Sequence, residues 1–323
     1  MEPLSVDQPH NRLTQLLASH SFILTEAAVI EALQRLPKIA TDPHVANALL
    51  IYDSVGRVAL SGIYGQFIDV ARQAGIPLVL ATPTWRAGHE RVRLADAPVT
   101  INQDAAAFLT GLRGQVEIGI GAEPILIGGL LVPKNDAYRP EQGLSTTAAD
   151  VYHQGQAEQL VTGGVDFLLA ATLPALPEAK GIARAMARTM APYVISFVLN
   201  AHGHLLDGSQ LAQTVAEIDD QNVRPPAGYM INCAYPSFFK TNRLPRHTLQ
   251  RIIGFQANAA ARDHNDLDKA QARLAEPVSD WGQRMIALHQ QAGIKILGGC
   301  CGTRVEHLRY LTDRLGFHEN NRG

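Results

Sequence analysis

Short apolar runs alternate with longer amphipathic stretches along most of the chain. The runs are nearly continuous rather than interrupted at every second position, which is typical of parallel strands covered on both faces. Eight strands are predicted in this way, at residues 21–25, 76–81, 123–132, 165–172, 193–199, 227–233, 251–258 and 293–299. The pattern therefore favours a parallel sheet.

Helical patterns fill the segments between these runs. Cap residues at the start or glycine at the end mark several of them, and helices are predicted at residues 25–36, 56–75, 102–114, 145–164, 207–221 and 303–316. Residues 259–292 are predicted as a long insert with two helices. Eight strands that alternate with helices over more than about 250 residues predict an α/β fold, the (β/α)8 TIM barrel, with a doubly wound open sheet as the second choice.

Neither an internal repeat nor a low-complexity linker divides the chain. We therefore predict a single barrel domain over residues 1–323, with its core at about residues 20–318 and an N-terminal extension at residues 1–19. The 323 residues are 46% hydrophobic and 18% charged, and 28 basic against 30 acidic residues leave a net charge of −2. No basic run of the kind that binds nucleic acid or an anionic membrane is present.

The first residues lack the pattern of a secretory signal. The longest apolar stretch, residues 125–132, is far shorter than the roughly 18 residues of a membrane span. We expect a cytoplasmic protein whose partners are small molecules, with neither nucleic acid nor membrane among them. The sequence leaves open whether the protein forms a homo-oligomer.

Three cysteines carry the candidate chemistry. Cys233 ends the sixth predicted strand, and Cys300 and Cys301 follow the eighth. Because the carboxyl ends of barrel strands share the rim where active sites form, these side chains are expected to converge. Three thiolates favour zinc and leave a fourth position open, which is the catalytic pattern. Gly298 and Gly299 are expected to let the backbone turn towards the ion.

A thiol at the open position would lose its proton near neutral pH and become a nucleophile. Three cysteine ligands would keep that sulfur electron-rich, which favours thiol alkylation over water activation. Two other interpretations stay open. One is a redox or metal-storage protein whose adjacent cysteines oxidise reversibly without needing Cys233, and the other is a catalytically silent barrel that keeps zinc.

The segments INCAYP (231–236) and ILGGCCGT (296–303) resemble those of the homocysteine S-methyltransferase family, and the resemblance covers most of the chain. It implies a TIM barrel with zinc on Cys233, Cys300 and Cys301, and methyl transfer to a zinc-bound thiolate, with homocysteine or a related thiol as the acceptor. It also implies a place in methionine biosynthesis. One barrel leaves no residues for the folate and cobalamin modules of larger members, so the donor is expected to be a sulfonium or a quaternary ammonium compound.

Aromatic faces hold such cations. Trp85, after the second predicted strand, is the first candidate, and Tyr138, Tyr235 and Phe238 are further ones. The other predicted substrate-binding residues are Glu26, Thr82, Thr172 and Asn232. Asn232 stands beside Cys233, where it either positions the ligand or substrate or bonds to the backbone.

Two segments depart from the family pattern. Residues 23–33 replace the usual Asp-Gly-Gly loop and contain no glycine, with Glu26 near the position of the usual acid. The usual Glu-Thr pair after the fourth strand reads Ala171-Thr172. Because a desolvated ammonium group needs an acceptor, Glu26 or Glu178 is expected to provide it. A thiol without an amino-acid head group is the alternative acceptor.

Overall fold

Eight parallel strands form a closed barrel in which each strand pairs with its neighbours in chain order. The computed structural model describes residues 12–116, 123–261 and 276–316. The strands are β1 (Ile23–Thr25), β2 (Leu78–Ala81), β3 (Ile125–Leu131), β4 (Phe167–Leu173), β5 (Tyr193–Phe197), β6 (Gly228–Ala234), β7 (Ile252–Ala257) and β8 (Ile296–Gly299). β8 pairs with β1 to close the barrel. The predicted TIM barrel is confirmed, and the second-choice prediction of a doubly wound open sheet is wrong.

Eleven α-helices lie in the described part of the chain. They are α1 (Arg12–Ser19), α2 (Val29–Gln34), α3 (Ser54–Ala74), α4 (His89–Leu94), α5 (Ile101–Val116), α6 (Thr146–Thr162), α7 (Leu176–Arg188), α8 (Leu211–Gln221), α9 (Arg246–Arg251), α10 (Val278–Ala292) and α11 (Val305–Leu315). Short 3-10 helices lie at Ala48–Ile51, Pro140–Gln142, Pro236–Phe238 and Thr241–Arg243. None of the described helices combines the length and the apolar character that crossing a membrane requires.

The helix α7 is the main element that the sequence patterns miss, because Pro177 and Gly181 interrupt its helical spacing. Pro177 stands in the first turn, where a missing N–H costs no hydrogen bond. Gly181 packs so closely on α6 that a Cβ would collide with the backbone carbonyl of Thr146. Of the two helices predicted in residues 259–292, α10 is observed. Residues 262–275 of this insert lie outside the described residues.

Apolar side chains form an inner and an outer layer. The outer layer lies between the strands and the surrounding helices. The inner cluster fills the barrel with side chains of alternating strand positions, among them Ile23, Val79, Leu126, Leu169, Val194, Met230 and Ile296. Leu13 and Leu16 of α1 belong to the same inner cluster, so this helix contributes to the barrel interior.

Polar contacts show which end of the barrel α1 covers. Asp166, just before β4, pairs through its carboxylate with Arg12 of α1 and with Arg113 of α5, at 2.5 Å each. Lys295, just before β8, donates from Nζ to the carbonyl of Leu17. Both partners precede strands, so α1 closes the amino end of the barrel and leaves the carboxyl rim open.

Truncating Leu13, which is 0% exposed, should lower the free energy of unfolding by about 2–5 kcal/mol, because a cavity remains where the leucine filled the barrel. Urea unfolding of Leu13→Ala measures this. The matched control is Gln15→Ala on the exposed face of the same helix, which should stay within about 0.5 kcal/mol of wild type. Equal losses in the two variants would contradict a packing role for α1.

Candidate metal and substrate site at the carboxyl rim

The three cysteine sulfurs meet at the carboxyl rim, all within 4.8 Å of one another. Cys233 and Cys300 are joined as a disulfide with their Cα atoms 5.5 Å apart, and the Sγ of Cys301 lies 4.0 Å from that of Cys300. In their reduced form these residues fit zinc, because three sulfur donors within reach of one ion match its preferred ligands.

The glycines before Cys300 are needed for close packing. A Cβ on Gly298 would lie 2.6 Å from the side chain of Thr25 and 2.7 Å from the carbonyl oxygen of Glu26. Gly299 donates its N–H to that same carbonyl at 2.9 Å. The expectation that the two glycines turn the backbone is wrong, since the left-handed residue of this segment is Gly302, with a φ of 80°.

Asn232 holds two strained residues of the rim. Thr172 and Cys233 have positive φ values of 61° and 50°, a conformation that residues other than glycine rarely adopt. The Asn232 Oδ1 accepts from the backbone N–H of Thr172 at 2.9 Å and from the hydroxyl of Ser196 at 2.7 Å. Its Nδ2 donates to Thr172 Oγ1 at 2.7 Å and lies 3.5 Å from the Sγ of Cys233. The side-chain amide of Asn232 therefore links the end of β6 to the end of β4 and to β5.

A cavity of about 250 Å³ opens beside the cysteines. Its lining includes the three predicted metal ligands and five of the predicted substrate-binding residues, namely Cys233, Cys300, Cys301, Glu26, Thr82, Trp85, Thr172 and Asn232. Ala171 and Leu169 of β4 contribute to its apolar wall. Sequence reasoning missed Asn47, Tyr64 and Gln256, which also line it.

The further aromatic candidates separate into two groups. Tyr138 lines the cavity. Tyr235 and Phe238 are buried outside its lining, and the Tyr235 hydroxyl donates to Glu276. Their expected contact with a cationic substrate is therefore not supported by the structure.

Glu26 is enclosed by the barrel while part of its surface faces the cavity. Burial raises the pKa of its carboxyl to about 8, although the N–H of Ala81, which donates to Oε2 at 2.9 Å, acts in the opposite direction. Tyr64 donates its hydroxyl to the carbonyl of Ala81 at 3.0 Å. Its pKa is raised well above the usual value by burial and by the charge of Glu26.

Glu178 does not serve this cavity. Its buried carboxylate accepts from the backbone N–H of Lys134 at 2.9 Å and from that of Leu144 at 3.3 Å, and it contacts His153 Nε2 at 3.3 Å. These bonds hold the segment between β3 and α6. Of the two acids considered for an ammonium partner, the structure therefore leaves Glu26.

The family model described as homocysteine S-methyltransferase matches residues 23–315, which includes every strand of the barrel. The chain belongs to the homocysteine S-methyltransferase family. Among relatives, the homocysteine S-methyltransferase YbgG of Bacillus subtilis (strain 168) is 27% identical, over 57% of this chain and 57% of its own. Homocysteine S-methyltransferase of Escherichia coli (strain K12) is 27% identical, over 58% of this chain and 59% of its own. The chain thus spans under two thirds of either relative.

Solved structures of the homocysteine methyltransferase MmuM from Escherichia coli share the fold. Its oxidized form aligns over 95% of this chain and 100% of its own, with a TM-score of 0.74 and 19% identity. Its metallated form aligns over the same shares with a TM-score of 0.70 and 19% identity. At 19% identity this similarity shows the fold alone: the chain has the same barrel.

Stability should depend on pH through Glu26. Its folded-state pKa of about 8 exceeds the ordinary value of 4.5, so between these values the folded state keeps a proton that the unfolded state releases. The resulting stabilisation is fully present below pH 4.5 and is lost as the pH rises to about 8. The free energy of unfolding falls by at most about 1.4 kcal/mol per pH unit in this range.

Urea unfolding between about pH 5 and pH 8 measures this slope. Glu26→Gln should flatten it relative to wild type, whereas Glu141→Gln, at an exposed position, should leave it unchanged. A slope that Glu26→Gln does not alter would show that this carboxyl is ionised across the range.

Proposed function

We propose that this protein transfers a methyl group from a sulfonium or quaternary ammonium donor to the thiol of homocysteine, at a zinc site formed by Cys233, Cys300 and Cys301. The observation that carries the proposal is the convergence of three cysteine sulfurs within 4.8 Å beside a substrate-sized cavity, in a chain of the homocysteine S-methyltransferase family. The metallated form of the Escherichia coli homocysteine methyltransferase MmuM supports a metal.

Bound zinc would supply the positive charge that keeps an acceptor thiol deprotonated near neutral pH. The acceptor sulfur attacks the methyl carbon of the donor, so a sulfur–carbon bond forms while the bond from that carbon to the donor sulfur or nitrogen breaks. The electron pair of the broken bond stays with the donor, which leaves as a neutral thioether or tertiary amine. The thiol proton goes to solvent.

Protein side chains bind and orient the two substrates. Trp85 and Tyr138 offer aromatic faces to the cationic donor, and the apolar wall that includes Ala171 excludes water. Thr82 and Thr172 shape the wall, because Thr82 Oγ1 accepts from the N–H of Leu130 at 2.8 Å and Thr172 Oγ1 accepts from Asn232 at 2.7 Å. Asn232 acts on the reaction by fixing Cys233.

A redox function has some support from the same sulfurs. The disulfide joins Cys233 with Cys300, and the Escherichia coli homocysteine methyltransferase MmuM also has a structure of an oxidized form. The version of this idea that uses only the adjacent cysteines has less support, because Cys233 belongs to the same cluster.

Metal analysis of reduced protein tests the proposal. About one zinc per chain is expected in wild type, and Cys233→Ser, Cys300→Ser and Cys301→Ser should each lose it together with methyl transfer from S-methylmethionine or betaine to homocysteine. Met190→Leu, which removes an exposed sulfur, is the matched control and should keep both.

Each failure has a separate meaning. Wild-type protein without stoichiometric zinc at any pH, or with transfer that survives chelation, would contradict the zinc site. Stoichiometric zinc without transfer from S-methylmethionine, S-adenosylmethionine or betaine would identify a silent barrel.

A further inference from the structure

Cys301 and Gly302 are the two central residues of a β-turn that follows β8. The N–H of Thr303 donates to the carbonyl of Cys300 at 3.1 Å and closes this turn. Gly302 has a φ of 80°, which is typical of the third residue of a type II turn and favours glycine. In the type I form of a turn, the peptide between the two central residues points the opposite way. The backbone conformation of Cys301 therefore depends on how this peptide is held.

Both polar groups of the peptide between Cys301 and Gly302 are hydrogen-bonded, and their partners lie in different parts of the barrel. The carbonyl of Cys301 accepts from the N–H of Ala259, after β7, at 2.9 Å. The N–H of Gly302 donates to Oε1 of Glu31, in α2, at 2.8 Å. A reversed peptide would lose both bonds. Because Ala259 contributes only a backbone group, Glu31 is the partner whose side chain selects this orientation.

A second donor holds the Glu31 carboxylate in place. Arg35, at the end of α2, donates from Nη2 to Oε2 of Glu31 at 2.9 Å, so each carboxylate oxygen has its own donor. The side chains of Arg35 and Glu31 are 28% and 31% exposed. An ion pair in such contact with water contributes little to stability. Orientation of the Gly302 N–H is consequently the better explanation of this pair.

The Glu31 bond acts directly beside the predicted metal ligands. Glu31 lines the cavity together with Cys300 and Cys301, and its partner Gly302 is the next residue after Cys301. Groups that bond around a metal ligand orient that ligand, and their loss typically costs roughly 10–100-fold in metal affinity or activity.

We propose that Glu31 is a positioning residue for the metal centre, an inference that rests on the zinc site of the proposed function. Its carboxylate holds the N–H of Gly302 and fixes the peptide after Cys301, so that Cys301 shares one ion with Cys233 and Cys300. The hydrogen bond has this effect through its geometry, and the negative charge of the carboxylate is not required.

Glu31→Leu should weaken zinc binding by about tenfold or more, because the turn loses the acceptor that fixes its central peptide. Glu31→Ala, which adds no bulk at the rim, should do the same. Glu31→Gln removes the charge but keeps an oxygen acceptor, and it should stay within about threefold of wild type. Competition with a chromophoric chelator measures these dissociation constants in the reduced protein. With cobalt in place of zinc, the visible spectrum reports thiolate coordination and should change in Glu31→Leu but not in Glu31→Gln.

Glu217→Leu is the matched control. Glu217, in α8, also has one donor for each carboxylate oxygen, Lys180 at 3.1 Å and Gln213 at 3.0 Å. Its side chain is 32% exposed, and it lies outside the cavity lining. This substitution should leave both the zinc affinity and the cobalt spectrum unchanged.

Hydrogen exchange of the Gly302 N–H, followed by NMR in the reduced, metal-free protein, tests the hold on the turn without any metal. Exchange should be about tenfold faster in Glu31→Leu than in wild type, since a bond to a charged acceptor is lost. Glu31→Gln and Glu217→Leu should both exchange at close to the wild-type rate.

Two results would overturn the positioning role. One is wild-type zinc affinity in Glu31→Leu, and the other is an equal loss in Glu31→Gln and Glu31→Leu, which would assign the effect to charge. If the zinc-loaded wild type transfers no methyl group, the proposed transfer fails while the zinc comparison still decides the role of Glu31. Wild type that binds neither zinc nor cobalt contradicts the proposed function, and the exchange rates then decide whether Glu31 fixes the turn.

Discussion

Gly299 donates its backbone N–H to the carbonyl of Glu26, and Gly298 leaves no room for a side chain between β8 and the end of β1. This close approach joins the last strand of the barrel to the first. It brings the segment with Cys300 and Cys301 beside the segment with Glu26, although about 270 residues separate them in the chain. Any side chain at Gly298 would push the thiols and the carboxyl apart.

Strained backbone and buried polar groups organise the opposite side of the rim. Left-handed conformations at Thr172 and Cys233 cost on the order of 1–3 kcal/mol each, and they persist because the surrounding structure over-determines them. The amide of Asn232 provides that constraint through its bonds to Thr172 and Ser196. Such satisfied buried networks are rigid, so the position of Cys233 is set before any ligand arrives.

The parts of this arrangement that sequence could predict are those that depend on regular patterns. Continuous apolar runs predict all the strands. Because Cys233 and Cys300 lie at strand ends, the sequence also predicts that they meet on one rim. Asn47 gave no such signal, because it lies in an irregular segment whose path over the cavity depends on tertiary packing. Glu178 looked equivalent to Glu26 in the sequence, and only its bonds to Lys134 and Leu144 show that it is already used.

Charge balance connects the two halves of the cavity. With zinc on three cysteine thiolates as proposed, the site carries a net charge of −1, and a fourth thiolate makes it −2. Within a cavity of about 250 Å³, an ionised Glu26 would add unfavourable like-charge repulsion at a range where salt screens little. Its raised pKa of about 8 keeps it mostly neutral near pH 7. A cationic substrate group beside Glu26 would favour the ionised carboxyl and would offset the negative charge of the proposed metal site.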